Sequence, residues 1–244
     1  AAGDWGQIVF YDSSVDASYD GNGDYASGSI LEYCTVEYGS GILLKLGNPF
    51  INQSTIRYHS GTGIKMDSHE TANSTATIKI TNNTISNNTN SGIYLYGMGV
   101  VVISGNTISD NIGSSGGGIH GGGYNTTISD NTIENNKAGR YESSPDGSVF
   151  RLEGSGGGII CGSGNKIFNN IIKGNQARDG GGIKGDAGAT YTGNTIIGNT
   201  ATEKGGGFYA PHYGGTFSSN YVLSNTGGGV YVSGYTVVTG NIIA

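Results

Sequence analysis

The sequence predicts an all-β fold, a solenoid in which short strands stack coil upon coil, and three observations support this prediction. An apolar residue is followed by Asn three positions later and by a second apolar residue two positions after that, as in 103–108 and 128–133. A Gly followed by an apolar residue recurs about every 24 residues. Charged residues make up only 12% of the chain, whereas Gly accounts for 47 of its 244 residues. This composition favours ordered β structure over disorder.

The asparagine phrase is the most regular of these features. Its copies are Ile80-Asn83-Ile85, Ile103-Asn106-Ile108, Ile128-Asn131-Ile133, Ile167-Asn170-Ile172, Tyr191-Asn194-Ile196, Phe217-Asn220-Val222 and Val238-Asn241-Ile243. Two earlier copies carry Cys34 and Ser54 in place of the Asn. A second Asn follows five positions later, at Asn88, Asn111, Asn136, Asn175, Asn199 and Asn225. An Asn at a bend lies about 4.8 Å from its equivalent in the next coil, so we expect Asn ladders that satisfy their own polar groups.

The glycine–apolar pairs mark a second position in each coil. They are Gly41-Ile42, Gly63-Ile64, Gly92-Ile93, Gly118-Ile119, Gly158-Ile159, Gly182-Ile183, Gly207-Phe208 and Gly229-Val230. Gly tolerates conformations and close approaches that other residues do not. We therefore expect a sharp corner here, where neighbouring coils pack closely.

The asparagine phrase and the "GGI" corners resemble repeats of the pectate-lyase-like superfamily over roughly residues 30 to 244. The "GGG" runs and "GNTA" also resemble bacterial surface and autotransporter passenger repeats. The resemblance implies a single-stranded right-handed parallel β-helix of about nine coils. It does not imply one function, because that superfamily includes lyases, glycosidases, epimerases, adhesins and catalytically silent surface proteins.

We predict one β-helix domain over 1–244, with inserted loops at 12–29, 67–76 and 137–155. The closing "TVVTGNIIA" stops inside a repeat without a polar cap. Open strand edges promote pairing with other chains, so we expect a segment or subunit of something larger, with end-to-end stacking as one form of assembly. Cys34 and Cys161 lie about five coils, or roughly 24 Å, apart. A disulfide spans at most about 7 Å between α-carbons, and we therefore predict two free, mostly buried thiols.

The charge and hydropathy of the chain restrict its partners. The formal net charge is −6, and no basic stripe is present for nucleic acid. No apolar run approaches the roughly 20 residues of a membrane span. We expect an extracellular or cell-surface protein that binds polysaccharide or itself.

Outward-facing residues of the strand after each glycine corner form the most functional-looking surface. With Lys45 at its start, this column comprises Lys65, Asp67, Tyr94, Tyr96, His120, Lys184, Asp186, Tyr209 and Tyr231. Tyrosines stack on sugar rings, while Lys, His and Asp hydrogen-bond to hydroxyl groups. This column is therefore a candidate carbohydrate-binding surface. The alternative is that tyrosine and polar residues simply favour exposed strand positions.

Catalysis is the second interpretation of the same surface, as a polysaccharide lyase, epimerase or hydrolase. Hydrolysis needs two carboxylates roughly 5 to 9.5 Å apart, whereas Asp67 and Asp186 are separated by about 19 Å of rise. A lyase would draw its base from His120, Lys184, Arg140 or Arg151, with Asp186, Glu142 or Asp146 near a metal. No carboxylates cluster in consecutive coils, and a non-catalytic scaffold is the preferred interpretation.

Two further features allow other interpretations. Asp20, Asn22 and Asp24 alternate as the oxygen ligands of a calcium loop do, although Tyr25 and Leu31 replace the turn Gly and the bidentate Glu of the EF-hand pattern. Calcium binding and a polar hairpin tip are both compatible with this stretch. A second sheet carries outward Thr and Ser pairs that resemble ice-binding solenoids, interrupted by lysines and a phenylalanine.

Overall fold

The chain is built almost entirely from short parallel strands. The computed structural model describes residues 1–67, 77–97, 99–121, 125–144, 147–212 and 215–244. Within these ranges there is no helix; the strands form three long parallel sheets, a four-stranded parallel sheet and two antiparallel hairpins. The all-β solenoid predicted from the sequence is confirmed.

The sheets are named by their place in each coil. Sheet 1 follows the glycine corner and comprises Ile8–Tyr11, Ile42–Lys45, Ile64–Asp67, Ile93–Tyr96, Ile119–Gly121, Ile159–Ile160, Ile183–Lys184, Phe208–Ala210 and Val230–Val232. Sheet 2 comprises Ile30–Glu32, Phe50–Asn52, Thr77–Thr81, Val100–Ser104, Thr126–Ser129, Lys166–Phe168, Thr190–Thr192, Gly215–Ser218 and Thr236–Thr239. Sheet 3 comprises Thr35–Glu37, Thr55–Arg57, Thr84–Ser86, Thr107–Ser109, Thr132–Glu134, Ile171–Lys173, Thr195–Ile197, Tyr221–Leu223 and Ile242–Ile243. Sheet 4 comprises Ile112–Gly113, Lys137–Ala138, Gln176–Asp179 and Thr200–Lys204.

Each coil runs through sheet 2, sheet 3 and sheet 1, with sheet 4 between sheets 3 and 1 in four coils. Every strand of the four parallel sheets except the last of each pairs with the equivalent strand of the next coil, as Ile80 pairs with Ile103 and Ile103 with Ile128. Among the described residues, sheet 1 has nine strands, of which Ile8–Tyr11 precedes the first strands of sheets 2 and 3. At the other end of the described chain, the last strands of sheets 2 and 3 have no following strand in sheet 1. Eight turns therefore contribute one strand to each of the three sheets, slightly fewer than the nine coils expected.

The interior is filled by the apolar residues of the repeat. Strand side chains alternate between the two faces of a sheet, and Ile51, Ile80, Ile103 and Ile128 are fully buried. Aromatic residues replace isoleucine towards the C-terminal coils, where the Phe208 and Phe217 rings lie 4.3 Å apart. Because these positions pair in register from coil to coil, they form one continuous apolar core.

Two Asn ladders run along the bends on either side of sheet 3. In the first, the Asn131 side chain accepts from the backbone N–H and the side-chain amide of Asn106, each at 2.9 Å. It also donates to Asn170 at 2.9 Å. The second ladder is built in the same way, as Asn136 donates to Asn175 at 3.1 Å. Each amide thus satisfies buried polar groups of two neighbouring coils, and the predicted ladders are confirmed.

The glycine corners pack directly against the next coil. A Cβ atom added to Gly118 would lie 2.6 Å from the Gly158 carbonyl oxygen and 3.0 Å from Asn136 Nδ2. Gly158 and Gly182 meet the next coil in the same way, at 2.6 Å from the following glycine carbonyl. The corner therefore needs Gly because of close packing between coils.

The ladders change composition in the first coils. Ser54 accepts from the Cys34 N–H at 3.1 Å, and its own N–H donates to Asn83 at 2.9 Å. In the second ladder, His59 takes the place of Asn. Its Nδ1 accepts from the Gly39 N–H at 3.1 Å, and the fully buried ring packs edge-on against Trp5.

His59 predicts a pH-dependent stability. Burial lowers its pKa from the ordinary value, and protonation of Nδ1 would remove the acceptor for Gly39. The unfolded chain binds the proton more readily, so this contribution is full above about pH 6.5 and is lost as pH falls towards the folded-state pKa. A tenfold difference in proton affinity between the folded and unfolded chains is equivalent to about 1.4 kcal/mol. Urea denaturation between neutral and acidic pH measures the effect.

The matched variant is His59→Asn, which places asparagine where the later coils have it in the second ladder. It should fold, and its stability should fall less steeply below about pH 6.5 than that of the wild-type protein. The contributions of the other histidines cancel in this comparison. Identical pH profiles for the two proteins would contradict the assignment.

The loop at 12–29 forms a hairpin that folds against sheet 2. Its strands are Ser18–Tyr19 and Tyr25–Ser27. The Tyr25 ring stacks on Phe50 at 5.7 Å, and the Lys79 ammonium lies 4.0 Å from the Tyr19 ring centroid. Burial raises the pKa of Tyr19 to about 12. The hairpin therefore covers the outer face of the first coils of sheet 2.

The other two insertions were predicted at 67–76 and 137–155. The loop predicted at 67–76 lies outside the described residues, except for its first residue, Asp67. The insertion predicted at 137–155 contains the second antiparallel hairpin, with strands Arg140–Ser144 and Gly147–Arg151.

The two cysteines are free, as predicted. Cys161 is buried, and its Sγ lies 2.7 Å from the Tyr191 hydroxyl oxygen. Burial raises its pKa to about 12. Cys34 was also predicted to be mostly buried, but it is only half-buried at the edge of the core.

Candidate functional site

The predicted surface column lies on the outer face of sheet 1. Lys65 pairs with Tyr94, Tyr94 with His120, and Lys184 with Tyr209 in the strand register. Tyr231 pairs with Tyr209 at the far end, and their ring centroids are 5.5 Å apart. Parallel pairing without a shift brings these residues into one row, since each occupies the same position of its own coil.

A cleft opens at the second and third coils of this row. Its volume is about 470 Å³, and its lining residues are Thr62, Lys65, Asp67, Asn90, Tyr94 and Tyr96. Four of these residues belong to the predicted column, and we refer to the whole set as the sheet-1 cleft. Small-molecule sites are of this size, with aromatic walls and a few polar groups.

The two charged side chains that line the sheet-1 cleft form an ion pair. Lys65 Nζ lies 3.2 Å from Asp67 Oδ2, so the charges of its described lining residues cancel. The Tyr94 ring lies 4.6 Å from the His120 ring. Burial lowers the pKa of His120, and the nearby Lys184 charge lowers it further. The hydrogen bond with the Ser115 carbonyl raises it, but by less than burial lowers it. Both burial and the Lys184 charge therefore favour the neutral form of His120.

The column is not continuous beyond His120. Ile160 lies between His120 and Lys184 in the register. Asp186 lies past the end of the strand Ile183–Lys184, where its carboxylate accepts from the Ala187 N–H at 2.7 Å. Ile160 was not included in the predicted column, and it separates the cleft from the tyrosines at the far end.

The arginines considered for catalysis lie on the hairpin Arg140–Ser144 and Gly147–Arg151, which projects from the coil. Glu142 pairs with Arg140 at 3.2 Å and with Arg151 at 2.5 Å. Asp146 lies outside the described residues. These ion pairs engage both arginines within the hairpin.

A second, more apolar pocket of about 310 Å³ lies at the base of this hairpin. It is lined by Thr89, Asn90, Ile112, Ser114, Gly139, Arg140 and Tyr141. Asn90 lines both pockets, so the two adjoin across the edge between sheets 4 and 1. Thr62 and Asn90 could not be predicted from strand alternation, because they lie just before the glycine corners and outside the strands.

The aspartates considered for calcium stabilise their own hairpin turn. Asp20 Oδ1 accepts from the N–H groups of Asn22 and Asp24 at 2.9 and 3.0 Å. This local role accounts for Asp20, and calcium binding stays a prediction. Within the described ranges, no group of three or more His, Cys, Asp or Glu residues is arranged to hold a metal ion.

The comparison with protein families identifies the fold. A model described as a right-handed β-helix region matches residues 71–243, which is more than half of the chain. The chain belongs to the right-handed β-helix family. No curated protein and no solved structure matches the chain. Among the described residues, no helix has the length and apolar character needed to cross a membrane.

Proposed function

We propose that this β-helix protein is a non-catalytic extracellular or cell-surface scaffold that binds a neutral polysaccharide in the sheet-1 cleft. The observation that carries the proposal is the cleft itself, in which Tyr94 and Tyr96 lie beside the Lys65–Asp67 ion pair. Tyrosine faces stack on the apolar faces of sugars. The paired ammonium and carboxylate offer donors and acceptors to hydroxyl groups.

Charge decides between neutral and acidic glycans. Among the described residues that line the cleft, a polyanion would meet no unpaired cation, since Lys65 is neutralised by Asp67. Burial lowers the pKa of the neighbouring His120 and so disfavours its cationic form. The net charge of −6 adds repulsion at long range. A neutral chain avoids this repulsion and uses the same hydrogen-bonding groups.

Calorimetric titration against neutral and acidic oligosaccharides tests the proposal. Hexasaccharides of β-glucan, mannan and xylan are the neutral probes, and oligogalacturonate is the acidic one. We expect binding to at least one neutral probe, and Tyr94→Ala should weaken it roughly fivefold or more, because the aromatic contact contributes about 1 kcal/mol beyond its buried area. Tyr221→Ala removes an exposed tyrosine from sheet 3 and should leave binding unchanged.

Two outcomes would contradict the proposal. One is preferential binding of oligogalacturonate, and the other is equal binding by the wild-type protein and Tyr94→Ala. Product analysis of the same mixtures separates binding from catalysis, and we expect the oligosaccharides to remain intact. Cleavage would instead support the lyase or hydrolase interpretation.

A further inference from the structure

The residue before each ladder position has left-handed backbone geometry. In the later coils these positions hold only Gly, Asn, Asp or Ser, as at Asn87, Asn135 and Gly174. The first two coils instead carry Tyr33, Gln53, Tyr38 and Tyr58, whose φ angles lie between 45° and 63°. The tyrosines therefore depart from a pattern that the later coils share.

A tyrosine at such a position costs stability. The left-handed region brings Cβ close to the following carbonyl oxygen, and Gly or Asn relieves the strain. Strained backbone of this kind is concentrated at functional sites, where the side chain is kept for another reason. Packing in the core does not explain why tyrosine is kept at these positions, because Tyr38 and Tyr58 are 40% and 37% exposed.

Tyr38 and Tyr58 form an ordered aromatic pair on the surface. Their rings are nearly parallel, with an angle of 11° and 5.5 Å between centroids. The Arg57 guanidinium lies 5.2 Å from the Tyr58 ring centroid, and its Nε lies 2.8 Å from a Glu37 carboxylate oxygen. Aromatic rings and a self-neutralised ion pair are the same chemistry that lines the sheet-1 cleft.

The pair lies close to the sheet-1 cleft along the chain. Tyr58 precedes Thr62, which lines the cleft, by four residues. Four residues span at most about 14 Å even when fully extended. Tyr58, Thr62, Lys65 and Asp67 all belong to the same coil, so a chain molecule that leaves the cleft can reach the tyrosine pair around one edge of the solenoid.

We propose that Tyr38 and Tyr58 form an additional subsite for the same neutral glycan, which extends from the sheet-1 cleft over this edge. This inference rests on the proposed function. The subsite takes the distal sugars of a long chain, stacked on the tyrosine pair. Short glycans occupy the cleft alone.

The test uses the double variant Tyr38→Asn/Tyr58→Asn. It introduces asparagine, the residue found at the equivalent left-handed positions of later coils, such as Asn87 and Asn135. We expect an increased urea midpoint, because backbone strain is relieved. Affinity for the neutral hexasaccharide should fall about tenfold, whereas affinity for the matching disaccharide should stay the same. Gln53→Asn is the matched control, since it relieves the same strain without removing an aromatic ring; it should raise the midpoint and leave both affinities unchanged.

The outcomes separate this inference from the proposed function. Wild-type hexasaccharide affinity in the double variant, together with weakened binding by Tyr94→Ala, would overturn the subsite and leave the cleft standing. A lowered urea midpoint in the double variant would show that the tyrosines serve the fold, and would also overturn it. Unchanged binding in Tyr94→Ala would overturn the proposed function itself.

Discussion

Replacing Asn131 by alanine is expected to lower the free energy of unfolding by about 3 to 5 kcal/mol. The Asn131 amide donates to the carbonyl oxygens of Ile103 and Ser129 at 2.9 and 2.8 Å, and to the Asn170 side chain. Its oxygen accepts from two N–H groups of Asn106. Alanine leaves several of these buried groups without a partner, at about 1 to 3 kcal/mol each. Chemical denaturation measures the loss.

Asn225→Ala is the matched control for this variant. Asn225 makes the same kinds of contact, accepting from Asn199 and donating to the Ile196 carbonyl at 2.9 Å. It is only half-buried, whereas Asn131 is fully buried, so water can replace some of the lost partners. We expect a loss of less than about 1.5 kcal/mol. Equal losses at the two positions would show that the central ladder contributes no more than a partly exposed hydrogen bond.

Gly182→Ala is expected to destabilise the protein by about 2 to 3 kcal/mol. The new methyl group would lie 2.6 Å from the Gly207 carbonyl oxygen, 3.0 Å from Ile196 Cγ2 and 3.1 Å from Asn199 Nδ2. Two of these contacts involve backbone and ladder atoms that cannot move without separating the coils. The measurement is the shift of the urea midpoint.

Gly21→Ala provides the corresponding control. No atom lies within 4 Å of a Cβ built at Gly21, and its backbone is outside the left-handed region. The substitution should change stability by less than about 0.5 kcal/mol. A Gly182→Ala protein as stable as this control would contradict the close-packing explanation of the corners.

The ladders and corners could be predicted from the sequence because every coil meets the same packing requirements. Parallel pairing places equivalent residues one strand spacing apart, so an Asn that satisfies one bend must recur at the next. Asn83, Asn106 and Asn131 indicate the ladder by their spacing alone. Glycine at the corner recurs for a similar reason, since each Cα faces the carbonyl of the following coil.

Positions where the chain departs from its own repeat were harder to interpret. His59 takes a ladder position with a different side chain, and a search for Asn could not recognise it. The left-handed geometry of Tyr38 and Tyr58 depends on φ angles, which the residue types alone do not indicate. A positional alignment of the coils, rather than a search for matching residues, would have identified all three.

The candidate site was predicted in part. The outward row on sheet 1 follows from strand alternation, and it includes Lys65, Asp67, Tyr94 and Tyr96. The cleft also depends on Thr62 and Asn90, which precede the corners and have no strand periodicity. The ion pair between Arg140 and Glu142 depends on how the hairpin folds, which a repeat pattern does not specify.

A crystal structure of the protein with a bound neutral hexasaccharide tests the central claim most directly. We predict sugar rings against Tyr94 and Tyr96, hydroxyl groups bonded to Lys65 and Asp67, and the chain continuing towards Tyr58. A hexasaccharide bound on sheet 2 or at the base of the hairpin, with the sheet-1 cleft empty, would contradict the account.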